Sequence, residues 1–302
     1  MIEKEKENGP TFPVKTRPAG GVSPAVWRAN LPSGKRRIMP VTARLIAAIV
    51  WVFSAEVAAG VPDLAREQRM AVEIEDVILD GEADFLDDGT GHRFLTIQTE
   101  SEISPAKGTV VILHGRGLHP DWANVTHPLR VGLTRYGWNT LAIQLPVLEK
   151  DASYNDYFPT FRAAEPRIEL ALEQARERTA GKVVLLAHSC GSHMAQHWIL
   201  QRSADALSRF DAYVGIGMGA TDYGQPMREP FALARMPQPV LDVYGERDYP
   251  AVKRLAPLRR AAIAAAGNPL SVQRVVADSD HYFVDRGDAL LEAVVGWLDT
   301  LQ

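Results

Sequence analysis

The chain has one cysteine, Cys190. An intramolecular disulfide is excluded, and so is a thiolate metal cluster. The cysteine count therefore carries no information about redox compartment. No apolar run is long enough for a comfortable membrane span of about 20 residues. The most compact one, residues 45–53, ends at Ser54 and Glu56. No basic stripe with interleaved aromatics is present. The whole chain carries −4; residues 1–38 hold eight Lys/Arg against three Glu, residues 39–59 balance, and residues 60–302 are left with −9. So acidic a segment is a poor candidate for gripping nucleic acid. There is no internal repeat, and no cofactor or metal motif stands out.

What is present begins with a leader. Residues 1–38 are rich in Pro, Gly and charge and have no apolar period, which points to disorder or to a misassigned start with translation from Met39. Residues 39–59 follow a basic entry, Arg36-Arg37, with a short apolar stretch and a Val57-Ala58-Ala59 end. That pattern is signal-peptide-like and predicts a periplasmic or secreted protein with no stable membrane span after cleavage. The alternative is an uncleaved amino-terminal anchor.

Residues 60–302 are expected to form one α/β domain. Two β-like stretches, 72–79 and 94–99, flank the turn-rich segment Asp87-Asp88-Gly89-Thr90-Gly91 and suggest an antiparallel pair. Strand-like runs then alternate with helical ones: strands at 109–113, 139–145, 182–187, 212–218, 239–244 and 271–276, helices at 127–136, 165–177, 191–201, 252–266 and 288–301. Such alternation implies a mostly parallel sheet covered by helices on both faces. The 221–238 connection is too short for a separate lid domain.

The chemistry is concentrated at three strand ends. Strand 182–187 runs into Ala187-His188-Ser189-Cys190-Gly191 and then a helix. Serine on a tight strand-to-helix turn, with small residues two before and two after it, is a nucleophile elbow. Alanine stands at the first small position, where glycine is more usual. A serine hydroxyl needs a base, and in this arrangement the partners follow in the order serine, acid, histidine. Asp248 lies after strand 239–244 and His281 after strand 271–276. Glu246 and Asp242 are alternative acids; Asp278 and Asp280 are too near His281 in sequence to be the first choice. The oxyanion hole is expected to use the main-chain amides of Cys190 and of Arg116, with Gly117 as the fallback for Arg116 in the loop Leu113-His114-Gly115-Arg116-Gly117.

Together Leu113-His114-Gly115, the Ser189 elbow, Gly245-Glu246-Arg247-Asp248 and Asp280-His281 resemble the α/β-hydrolase superfamily over residues 70–302. The alanine-led elbow is similar to that of some small bacterial lipases. His114-Gly115-Arg116-Gly117-Leu118-His119-Pro120-Asp121-Trp122, with Pro128-Leu129-Arg130 and Gln144-Leu145-Pro146, resembles an exported bacterial hydrolase-like family of unknown function. The resemblance implies an α/β-hydrolase fold without a large lid and a Ser189–Asp248–His281 triad. It supplies no substrate.

Other residues carry weaker expectations. His193 and His197 are spaced for zinc, but the intervening glutamate of a zincin is missing, so packing or surface roles are expected. Cys190 reads as a small residue that fits the elbow. Tyr154, Tyr157, Phe158 and Phe161 either wall an apolar pocket or pack the core. The function expected is hydrolysis of a small-molecule acyl ester or thioester through an acyl-enzyme. A non-catalytic binding protein and an acyltransferase are the alternatives; epoxide and haloalkane hydrolases of this fold use an aspartate nucleophile instead.

Overall fold

The computed structural model describes residues 60–202 and 204–301; the signal-like segment 39–59 and the leader before it lie outside them. Eight strands form one sheet: β1 (Glu82–Asp87), β2 (Arg93–Thr99), β3 (Gly108–Leu113), β4 (Trp138–Ile143), β5 (Lys182–His188), β6 (Ala212–Ile216), β7 (Val240–Gly245) and β8 (Val272–Val276). Their order is β1-β2-β4-β3-β5-β6-β7-β8. β2 is antiparallel to both β1 and β4, and the other pairs are parallel. The helices are α1 (Leu64–Glu75), α2 (Thr126–Gly132), α3 (Tyr154–Tyr157), α4 (Phe161–Arg178), α5 (Cys190–Arg202), α6 (Ala204–Ser208), α7 (Pro250–Ala266) and α8 (Gly287–Leu298). This is the mostly parallel α/β-hydrolase sheet, with an antiparallel pair at its start and no large lid. Between β6 and β7 the only regular element is the 3-10 turn Leu233–Arg235.

The sheet is double-faced because its central strands carry unbroken apolar runs, 110–113 in β3 and 183–187 in β5, that are buried on both sides. In β3, Val111 and Leu113 point into one core with Ile168 and Leu172 of α4 and Met194 and Trp198 of α5. Val110 and Ile112 point into the other, with Leu129 of α2 and Leu290, Val294 and Trp297 of α8. Burying each such side chain contributes about 1.5–3 kcal/mol. That fixes β3 and β5 in the middle, and their carboxyl ends define the edge where the loops gather. Among the described residues no helix is long and apolar enough to cross a membrane.

One expected element is corrected. Residues 72–79 are not a strand; their first half is the end of α1. The helix starts at Asp63, whose carboxylate accepts a hydrogen bond from the Arg66 amide at 2.9 Å. Glu67, Ala71 and Ile74 form its buried side, a spacing of four and three that belongs to a helix. The alternation of Val72 and Ile74 with glutamates imitates a strand over too short a window. The partner of β2 is instead β1, whose three acidic residues masked it. Ala71 and Ile74 pack on Leu95 and Ile97 of β2. Glu67 is buried against Arg167 of α4 at 2.8 Å, an ion pair that ties α1 to the helical layer.

Candidate active site

Ser189 sits between β5 and α5 with φ 52°. A non-glycine residue in the left-handed region costs about 1–2 kcal/mol, so the surroundings must hold it there. The Ser189 amide donates to the Ile216 carbonyl at 2.8 Å, and its carbonyl accepts from the Ser192 amide at 2.9 Å. Gly191 is required by space: a Cβ there would lie 2.4 Å from the His114 carbonyl oxygen. Ala187 is fully buried, in register with Leu113 and Gly215, so the small-residue rule of the elbow is met without glycine.

The turn brings three side chains into line. The Ser189 hydroxyl lies 2.8 Å from His281 Nε2. His281 Nδ1 lies 2.7 Å from Asp248 Oδ1. The same carboxylate oxygen accepts the Tyr249 amide at 2.7 Å, just ahead of α7, where a helix amino terminus favours negative charge. Of the acids weighed from sequence, only Asp248 reaches the imidazole. Glu246 is exposed and accepts the Asp278 amide. Asp242 is sealed inside β7 with Arg259, whose Nε lies 2.9 Å away. Asp280 accepts the amides of Tyr282 and Val284.

Two residues that sequence reasoning passed over hold His281. His188 Nε2 donates to the His281 carbonyl at 3.1 Å. Gly217 has φ 60°, and a Cβ there would lie 2.8 Å from His281 Cε1. Gly217→Ala is therefore expected to push the imidazole off its line and to strain the backbone as well. A displacement near 1 Å costs on the order of 100-fold in rate. Turnover of the folded variant in the assay that tests the function proposed below checks this; activity equal to that of the wild type would contradict it.

The loop after β3 is pinned at three successive residues. His114 Nδ1 donates to the Gly115 carbonyl at 2.7 Å, and its Nε2 accepts the Leu145 amide at 2.9 Å. Arg116 forms a two-pronged ion pair with Asp222 at 2.5 and 2.8 Å, and Asp222 also accepts the Tyr154 amide at 2.6 Å. The guanidinium hydrogen bonds hold the Asp222 carboxyl below the usual carboxylate range. Arg66 of α1 donates to the Gly117 carbonyl at 3.0 Å. Gly115, Arg116, Ser189 and Cys190 line one cleft of about 560 Å³, a size suited to a small molecule.

The weaker expectations sort themselves by environment. Burial pushes the Cys190 thiol up to about 12, so it stays protonated and is no competing nucleophile. His193 is buried among Tyr154, Phe161 and Phe231. His197 pairs with Glu229 at 2.6 Å and Glu165 at 3.4 Å. Among the described residues no group of three or more His, Cys, Asp or Glu is placed to hold a metal ion. Tyr157 and Phe161 are core residues; of the four aromatics in that segment, Tyr154 alone also reaches the cleft.

Burial holds the imidazoles of His114, His188 and His193 down to about 3 each. In the unfolded chain each titrates near 6.5. Below that pH the unfolded state takes up protons that the fold refuses. Stability is thus full above pH 6.5 and is lost as pH falls towards 3. The three together cost about 4 kcal/mol per pH unit in that window. Urea midpoints at pH 7, 5.5 and 4.5 should fall steeply; an unchanged midpoint would contradict the neutral burial of these rings.

Comparison with known proteins bears on the fold. Residues 52–166 match a family described as a protein of unknown function (DUF3530). That match covers less than half of the chain and stops before the elbow. No curated protein is detectably similar in sequence. Several solved structures share the fold. Dienelactone hydrolase from Anabaena variabilis is 18% identical with a TM-score of 0.57, covering 73% of this chain and 97% of its own. Est1E from Butyrivibrio proteoclasticus, solved with ferulic acid bound, is 12% identical with a TM-score of 0.54, covering 72% and 98%. XC6422 from Xanthomonas campestris, described as a serine hydrolase without a lid, is 14% identical with a TM-score of 0.52, covering 74% and 96%. At these identities the likeness establishes a hydrolase-type fold and goes no further.

Proposed function

We propose that the protein is a serine hydrolase that cleaves a small-molecule ester or thioester through an acyl-enzyme. The observation that carries this reading is the unbroken line from the Ser189 hydroxyl through His281 to the buried Asp248 carboxylate, at 2.8 and 2.7 Å, opening on a cleft. Ser189 Oγ bonds to the acyl carbon as its proton passes to His281 Nε2, and the carbonyl π pair moves onto oxygen. The amides of Cys190 and Arg116 receive that oxyanion. When the tetrahedral intermediate collapses, the leaving alcohol or thiol takes the proton from His281. Water then repeats the sequence and frees the acid. Asp248 holds the imidazole in the tautomer with Nδ1 protonated, so that Nε2 can accept.

The pinned loop supports the role given to Arg116. Its side chain is occupied by Asp222, and the carbonyls on either side are tied to His114 and Arg66, which leaves the main chain as its contribution to chemistry. A panel of nitrophenyl esters of rising acyl length tests the reading. Turnover with a nitrophenol burst is expected. Folded protein inert across the whole panel would favour a ligand-binding protein on a hydrolase fold.

Export rests on the signal-like segment 39–59 and is proposed separately. Mass spectrometry of the mature protein should find an amino terminus near residue 60. A chain beginning near Met1 would contradict export by cleavage.

A further inference from the structure

We propose that Tyr249 is a positioning residue that stabilises the charged form of His281 through its ring face. The inference rests on the serine-hydrolase reading. Tyr249 stacks on the His281 imidazole, with ring centroids 4.3 Å apart and planes 22° from parallel. Tyr282 meets the same imidazole edge-on at 5.1 Å and 75°, and the two phenol oxygens lie 3.3 Å apart. The His281 ring is thus enclosed by aromatic surface on the side of the cleft, which Tyr249 and Tyr282 also line.

The local sequence builds this placement. Tyr249 precedes Pro250, the first residue of α7, and a residue before proline is held out of the helical region. Its backbone is accordingly extended at φ −51° and ψ 144°. Its amide donates to the Asp248 oxygen that also takes His281 Nδ1. Acid, imidazole and phenol are therefore fixed as one unit.

The physical effect is specific to the charged imidazole. An aromatic face carries negative electrostatic potential and attracts a cation within about 6 Å. In the resting enzyme His281 must be neutral at Nε2 to accept the Ser189 proton. As the tetrahedral intermediate forms it becomes an imidazolium, and only then does the ring face attract it. An interaction stronger in the transition state than in the ground state raises kcat rather than lowering KM. Asp248 serves one nitrogen of the cation, and Tyr249 serves its face. The neighbouring His188 ring, 5.1 Å away, is held neutral by burial and adds no opposing charge.

The test uses the full chain with residue 249 replaced by phenylalanine and by a series of ring-fluorinated phenylalanines. These keep the shape of the ring and withdraw charge from its face step by step. The expected result is a stepwise fall in kcat and in the rate of fluorophosphonate labelling, about tenfold across the series, with KM held. Tyr249→Leu should fall at least as far, and Tyr249→Phe should recover most of that loss. A flat series, or one in which only KM moves, would overturn the inference and leave the hydrolase reading standing. A folded wild-type protein that neither labels nor turns over ester would overturn both.

Discussion

Replacing Ser189 with alanine is expected to lower ester turnover about a million-fold, the scale seen when a serine nucleophile is removed from a working triad. The fold should survive. Among the described residues the Ser189 hydroxyl has one hydrogen-bond partner, His281, while the turn is held by main-chain hydrogen bonds that alanine keeps. Alanine tolerates φ 52° no better and no worse than serine. The midpoint of thermal unfolding should therefore stay within a few degrees while activity disappears. Residual turnover above the uncatalysed rate is expected, because binding and the oxyanion amides remain. Steady-state kinetics on the purified variant, with its unfolding curve beside them, check both halves. A variant that retains a tenth of wild-type activity would exclude Ser189 as the nucleophile.

Asp248→Asn is expected to lower kcat about ten-thousand-fold at neutral pH. The substitution preserves shape, so the imidazole stays in place, but the carboxamide can present its NH₂ to Nδ1. The imidazole then accepts at Nδ1 and carries its proton on Nε2, where the serine needs a lone pair. The loss of the buried negative charge also leaves the imidazolium without its counter-ion. The same change at Asp242, the buried aspartate inside β7, should instead act on stability. Asp242 pairs with Arg259 inside the fold, and weakening a buried pair leaves an uncompensated charge. The contrast is informative: Asp248→Asn should lower kcat with little change in unfolding midpoint, and Asp242→Asn should lower the midpoint. The reverse pattern would mean that the acid has been misassigned.

Sequence reading reached the parts of this protein that have local signatures. β3 and β5 carry continuous apolar runs at 110–113 and 183–187, so their burial on both faces is legible. The elbow around Ser189 declares itself because a strand, a tight turn with small residues and a helix follow one another without interruption. Asp248 and His281 are legible because order along the chain is enough to nominate them. The amino-terminal part was harder. The helix Leu64–Glu75 and the edge strand Glu82–Asp87 are both half-exposed, and an acidic edge strand has weak apolar periodicity.

The supports of the site were invisible for a different reason. Gly217 matters because of what a Cβ would strike from another loop. Tyr249 matters because of a ring contributed 32 positions later in the chain. Arg66 matters because α1 lies against the loop after β3. Asp222 matters because it pairs with Arg116 in the wall of the cleft. Each is a contact between segments distant in sequence, and no spacing rule reports such a contact. The residues proposed to do the chemistry can be named from one segment at a time, whereas those that hold them in place emerge only from the assembled fold.

The most direct test is to react the folded wild-type protein with a fluorophosphonate and locate the adduct by peptide mass spectrometry. One phosphonyl group on the peptide containing Ser189, absent after prior unfolding and absent from His281→Ala, is the expected result. Modification elsewhere, or none on protein shown to be folded, would contradict an activated serine at this position.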